Sequence, residues 1–132
     1  MLDIHANYAT DETLENEGSW KEIGGDAAIL VARSGNRAYS KLMTKLYQQN
    51  QELLKLGDDA AERKSDEIMI QVLAETVLLG WRNLGYQKKP IDYSVANAKK
   101  LLAHKDFRRV VVSASEDLTA YLVKEETAQG EA

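Results

Sequence analysis

The stretch from Ile68 to Trp81, reading Ile-Met-Ile-Gln-Val-Leu-Ala-Glu-Thr-Val-Leu-Leu-Gly-Trp, limits the fold of this chain more than any other. It is too apolar for a surface helix and too short for a membrane span, which takes about 20 apolar residues. Wound at about 100° per residue, it sorts its side chains into two sectors. Lys64, Glu67, Gln71, Glu75 and Arg82 share one narrow polar stripe. The remaining wall is apolar, from Ile68 and Met69 round to Leu79 and Trp81. A helix with so wide an apolar face is packed on from several directions. The pattern therefore predicts a central helix from near Ala60 through Asn83. Leu78 alone falls inside the polar stripe. On this reading Leu78→Glu leaves the helical spectrum and melting temperature almost unchanged and weakens association.

A length of 132 residues suits one domain with a real core, and 44% hydrophobic with 29% charged residues is ordinary for a soluble globular protein. The absence of cysteine excludes disulfides, thiol catalysis and zinc–thiolate sites. No secretory leader and no membrane-length apolar run is visible, so a soluble cytoplasmic protein is expected. Charge is uneven. Residues 1–20 hold Asp3, Asp11, Glu12, Glu15 and Glu17 without a Lys or Arg, a local −5.

Taken in order, residues 1–17 lack a clear period and are expected to form an acidic segment that is mobile, or ordered only against a partner. Ser19–Ile23 and Ala27–Val31 are strand-like and flank Gly24-Gly25, which predicts a β-hairpin rather than a phosphate loop. From Asn36 to Leu56 the apolar spacing is helical, with Asn50 interrupting and Gly57 as the stop. Asp59-x-x-Glu62 reads as the cap of the central helix. Residues 84–90 read as a turn or short extended connection, fixed by the lone Pro90. Ser94 opens a short helix with Tyr93 and Ala98 as a hydrophobic staple. Asp106 is the expected cap of a last helix, whose stripe runs from Phe107 through Val110, Val111, Ala114 and Leu118 to Tyr121 and Leu122. The expected class is mainly α: a single helical domain over residues 18–123, with about four helices and a short N-terminal β-hairpin, then a polar tail over 124–132.

No constellation for catalysis stands out. His5 and His104 are far apart and fit no metal-ligand spacing, and Ser113 and Ser115 lack the glycines of a nucleophile elbow. No catalytic residue, cofactor or metal site is assigned, and a non-enzyme is expected. The basic region is the other candidate. Lys88, Lys89, Lys99, Lys100, Lys105, Arg108 and Arg109 stand against Asp92 and Asp106, a local +5. Two short helices with that charge resemble a helix-turn-helix, so a small helical nucleic-acid-binding regulator is the alternative function. An acidic chain ranks this below protein binding. The protein-binding candidates are Leu78, Arg82, Lys88, Lys89, Lys99, Lys100, Arg108 and Arg109. The acidic segment of one copy reaching the basic region of another would give a heterologous contact, closing into a ring or running on as an open helical oligomer.

Three runs carry a family resemblance. Leu79-Gly80-Trp81-Arg82-Asn83-Leu84, Tyr93-Ser94-Val95-Ala96-Asn97-Ala98-Lys99-Lys100-Leu101-Leu102 and Asp106-Phe107 occur in the order seen in tail assembly chaperones of long-tailed bacteriophages. The chain resembles that family over roughly Trp20 to Leu122. It departs in Ala96, where an acidic residue is expected, and in a short connection around Pro90. The resemblance implies a mainly helical, non-enzymatic protein in the cytoplasm of the infected bacterial host. Such a protein binds the tape measure protein, keeps it soluble until the tail-tube protein polymerises, and is absent from the mature virion. Many members also occur as a longer frameshifted form, of which this chain would be the shorter counterpart.

Overall fold

Side-chain caps mark where five of the seven α-helices among the described residues start. The computed structural model describes residues 1–124. Asp3 and Asp11 accept hydrogen bonds from the first turns of α1 (Ile4–Tyr8) and α2 (Glu12–Glu17). Gly18 ends α2 at φ +99°, where a Cβ would stand 3.0 Å from Leu30, so only glycine fits the turn into β1 (Ser19–Gly24). The Gly25-Asp26 turn returns the chain as β2 (Ala27–Val31). Asn36 accepts from Tyr39 N at 3.0 Å and opens α3 (Arg37–Gln49). Asn50 separates α3 from the single turn α4 (Gln51–Leu54), and Gly57 follows at φ +65°. Asp58, one residue before the expected cap, accepts from Ala61 N at 2.9 Å and opens α5 (Asp59–Thr76). After α5 come β3 (Leu78–Arg82), β4 (Gly85–Tyr86) and β5 (Lys89–Pro90). Ser94 caps α6 (Val95–Leu102), then α7 (Lys105–Ser115) and a 3₁₀ turn (Leu118–Tyr121) complete the described chain.

The class is α+β, which corrects the expectation of a mainly α domain of about four helices. Seven α-helices and a 3₁₀ turn make 56% of the described residues helical, and five strands form two antiparallel sheets. The hairpin at Gly24-Gly25 is part of a three-stranded sheet ordered β1-β2-β3. Its third strand comes from the C-terminal part of the stretch assigned to the central helix. The helix stops at Thr76 because its terminal carbonyls have tertiary partners. Asn36 Nδ2 donates to Thr76 O at 3.0 Å, and Ala32 N donates to Val77 O at 2.8 Å. Thr76 and Val77 are β-branched and favour leaving the helix. Leu78-Leu79-Gly80-Trp81 then pairs with β2, in the register Val31↔Leu78, Leu30↔Gly80 and Ile29↔Trp81.

α5 remains the hub, packing on α3, α4, α6 and β3. Two buried clusters meet on it. Ile29, Val31, Leu73, Val77, Leu78, Ala98, Leu102 and Val111 join the sheet to α6 and α7. Leu46, Ile68 and Val72 join α3 to α5. The last helix is also shorter than its apolar period implied. It ends at Ser115, whose hydroxyl donates to Val112 O at 2.6 Å, and Asp117 caps the separate 3₁₀ turn. Asp106 lies in the first turn of α7 and pairs with Arg109 at 3.2 Å, while His104 holds the cap position without a side-chain bond. Residues 1–17 carry two helices whose caps rather than any apolar period define them. Glu15 pairs with Arg33 at 2.6 Å, and Asp11 N donates to Tyr121 O at 2.8 Å. The polar tail expected from residue 124 lies, apart from Lys124, outside the described residues.

Candidate protein-binding surfaces

An open groove of about 970 Å³ runs along α7. α7 turns Val111 and Ala114 into the core, which leaves Val110 and Val112 to line the groove beside Met69 and Leu73 of α5 and Tyr39 of α3. Lys21, Arg108 and Arg109 add positive charge to this apolar floor, and Glu116 and Asp117 add negative charge. The hydroxyl and N–H of Thr119 hold the Asp117 carboxyl below its usual range, with a smaller contribution from Lys21. Such a surface combines apolar area with charges at its border, the composition that suits a protein partner.

Of the sequence-selected basic residues, two line the groove and four lie on or beside the end of α6. Arg108 and Arg109 belong to the groove. Lys88 and Lys89 lie on the β4–β5 hairpin, which sits on the end of α6: Tyr86 Oη lies 2.8 Å from His104 Nε2, and Lys100 Nζ stands 5.1 Å from the Tyr86 ring. Lys99 and Lys100 occupy the last turn of α6, where cations complement the helix dipole. The connection read as a turn is thus a second hairpin. Behind it Trp81 donates from Nε1 to Ile91 O at 2.8 Å and meets Tyr93 edge-on at 5.0 Å.

Gln87 and Lys88 form its two-residue turn, both with positive φ, at 52° and 68°. Hairpins of this type favour Asn-Gly because side chains beyond Asn tolerate that backbone poorly. Left-handed residues other than glycine cost on the order of 1–2 kcal/mol each. The double substitution Gln87→Asn with Lys88→Gly is expected to raise stability by about 1–2 kcal/mol, read as a higher urea midpoint. An unchanged midpoint would show that the turn relaxes at no cost.

Two candidates change character. Leu78 is 0% exposed, inside the larger core cluster, so it is not a surface residue on a helical stripe. Arg82 ends β3 and lays its guanidinium 4.5 Å from the ring of Trp20 across the sheet. The acidic N-terminal segment meets Arg33 and Arg37 of its own chain, not the Lys88–Arg109 region. The groove itself escaped sequence reasoning, because its lining comes from α3, α5, α7 and β1. The only local signal was Val110-Val111-Val112, three apolar residues that one helix face does not hold.

A family model described as YdaY prophage protein matches residues 34–131, from the end of the β2 connection onward. The chain belongs to the YdaY prophage protein family. It is therefore a protein of phage origin, and the matched region includes the groove walls from α3, α5 and α7. No curated protein and no solved structure matches the chain. No helix among the described residues is long and apolar enough to cross a membrane. No group of three or more potential metal ligands occurs among them either.

Proposed function

We propose that this protein is a phage tail assembly chaperone, acting in the cytoplasm of the infected host by reversible binding of the tape measure protein and by self-association. The observation that supports the reading best is the groove of Tyr39, Met69, Leu73, Val110 and Val112 edged by Lys21, Arg108 and Arg109. A long helical client exposes apolar stripes before the tube forms around it, and exposed apolar surface aggregates. A shallow open groove holds such a stripe weakly. Many copies along one client gain strength from repetition and still come off as the tube replaces them. No catalytic or cofactor role is proposed, and the protein is not expected in the finished virion.

Co-expression with the tape measure protein of the same prophage tests this reading. The client is expected to move to the soluble fraction, and Val110→Asp in the groove is expected to return it to the pellet. A client equally insoluble with and without the protein would end the proposal. Tight duplex DNA binding that weakens steeply with salt would instead favour the nucleic-acid reading.

A further inference from the structure

We infer that, while no client occupies it, the groove along α7 receives residues 1–8 of a second copy of the chain. This rests on the self-association included in the proposed function and names the surfaces that carry it. α1 is five residues long and buries none of them. Leu2 and Ile4 are each 63% exposed, and Tyr8 is 53% exposed. Helices this short are marginal in water without packing. Here more than half of each large apolar side chain is left uncovered by the other described residues. Backbone bonds hold the segment at its base: Val123 N donates to Ala9 O at 2.9 Å, and Thr10 pairs with Leu122. Glu15 and Arg33 tie down the following helix. From that anchor α1 stands free, and none of residues 1–17 lines the groove of its own molecule.

The segment and the groove are complementary in both respects that matter. Leu2, Ile4 and Tyr8 offer apolar side chains to an apolar floor. Asp3, in a segment without Lys or Arg, offers a carboxylate to a border where Lys21, Arg108 and Arg109 outnumber Glu116 and Asp117. Val110 is 42% exposed on that surface, whereas Val111 beside it is wholly buried and Val112 half-buried. Each copy presents one segment and one groove. The contact is therefore between unlike surfaces and propagates from copy to copy unless two molecules exchange segments.

Because the chain contains no cysteine, a single thiol can be placed at will. Ile4→Cys in one full-length chain and Val110→Cys in another, distinguished by a size tag, are mixed and mildly oxidised. The mixed disulfide is expected to form about tenfold faster or more than with Val95→Cys, an exposed control outside the groove lining. Sedimentation gives a second readout. Ile4→Asp and Asp3→Lys are each expected to shift the mass toward the 14.8 kDa monomer, with Arg109→Glu restoring association to the Asp3→Lys chain. Equal cross-linking at Val95 and Val110 would overturn the inference. So would a chain carrying both thiols that cross-links only within itself at dilution. Either result would leave the client-solubility test of the proposed function standing.

Discussion

Leu78→Ala is expected to lower stability by about 2–5 kcal/mol, and Leu78→Glu to prevent folding under conditions where the unaltered chain is native. Leu78 is wholly buried where β3 leaves α5. Its side chain belongs to the cluster that includes Ile29, Val31, Leu73 and Val77. Its carbonyl accepts the Tyr93 hydroxyl at 2.8 Å. Truncation leaves a cavity at the junction of sheet and hub helix. A carboxylate there has no cationic partner among the cluster residues. Since domains of this size are stable by roughly 5–15 kcal/mol, the charged variant removes most or all of the margin. Circular dichroism and urea melts read both effects. A Leu78→Glu chain with an unaltered melt would place the residue on the surface, as the helical-stripe reading required.

That residue shows where the sequence was readable and where it was not. α3 and α5 were legible because thirteen residues from Arg37 and eighteen from Asp59 keep a helical period. Ser94 and Asn36 were legible as caps because their side chains act on their own first turns. The end of α5 was not. A short apolar run fits a helical wheel and a strand equally well. What decides it is distant in sequence: Asn36 Nδ2 on Thr76 O, Ala32 N on Val77 O, and β2 waiting beside Leu78. The clues that were local, β-branched Thr76-Val77 and Gly80, were outvoted by the wheel. The same held at the other hairpin, where Gln87-Lys88 is an atypical choice for a turn with positive φ. Of the candidate binding residues, Arg108 and Arg109 lie at the groove. They were selected for charge alone, and the apolar floor that gives that charge a context is assembled from elements far apart in the chain.

The second large effect concerns Tyr121, which closes the described fold from its C-terminal side. Its ring is wholly buried, its hydroxyl donates to Val31 O at 2.7 Å, and its own carbonyl accepts Asp11 N. Tyr121 thereby links the 3₁₀ turn, the central strand β2 and the start of α2. Tyr121→Ala is expected to cost about 3–5 kcal/mol, as for other large buried aromatics. Tyr121→Phe keeps the ring and loses the hydroxyl bond, for about 1–2 kcal/mol near neutral pH. Burial pushes the phenol from 10.0 up to about 12, with Arg33 acting weakly in the opposite sense. An acid raised in the folded state is ionised first in the unfolded chain. The stability it contributes is whole below pH 10 and is lost as pH rises from 10 through about 12. At about 1.4 kcal/mol per unit, the full loss is on the order of 2–3 kcal/mol. Burial raises the Tyr93 phenol as well. The contrast between chains isolates Tyr121. Urea midpoints at about pH 9 and about pH 11 are expected to converge, the unaltered chain falling further than Tyr121→Phe. Equal falls in both chains would mean that the phenol ionises as readily folded as unfolded, and that the 3₁₀ turn opens to water before the core does.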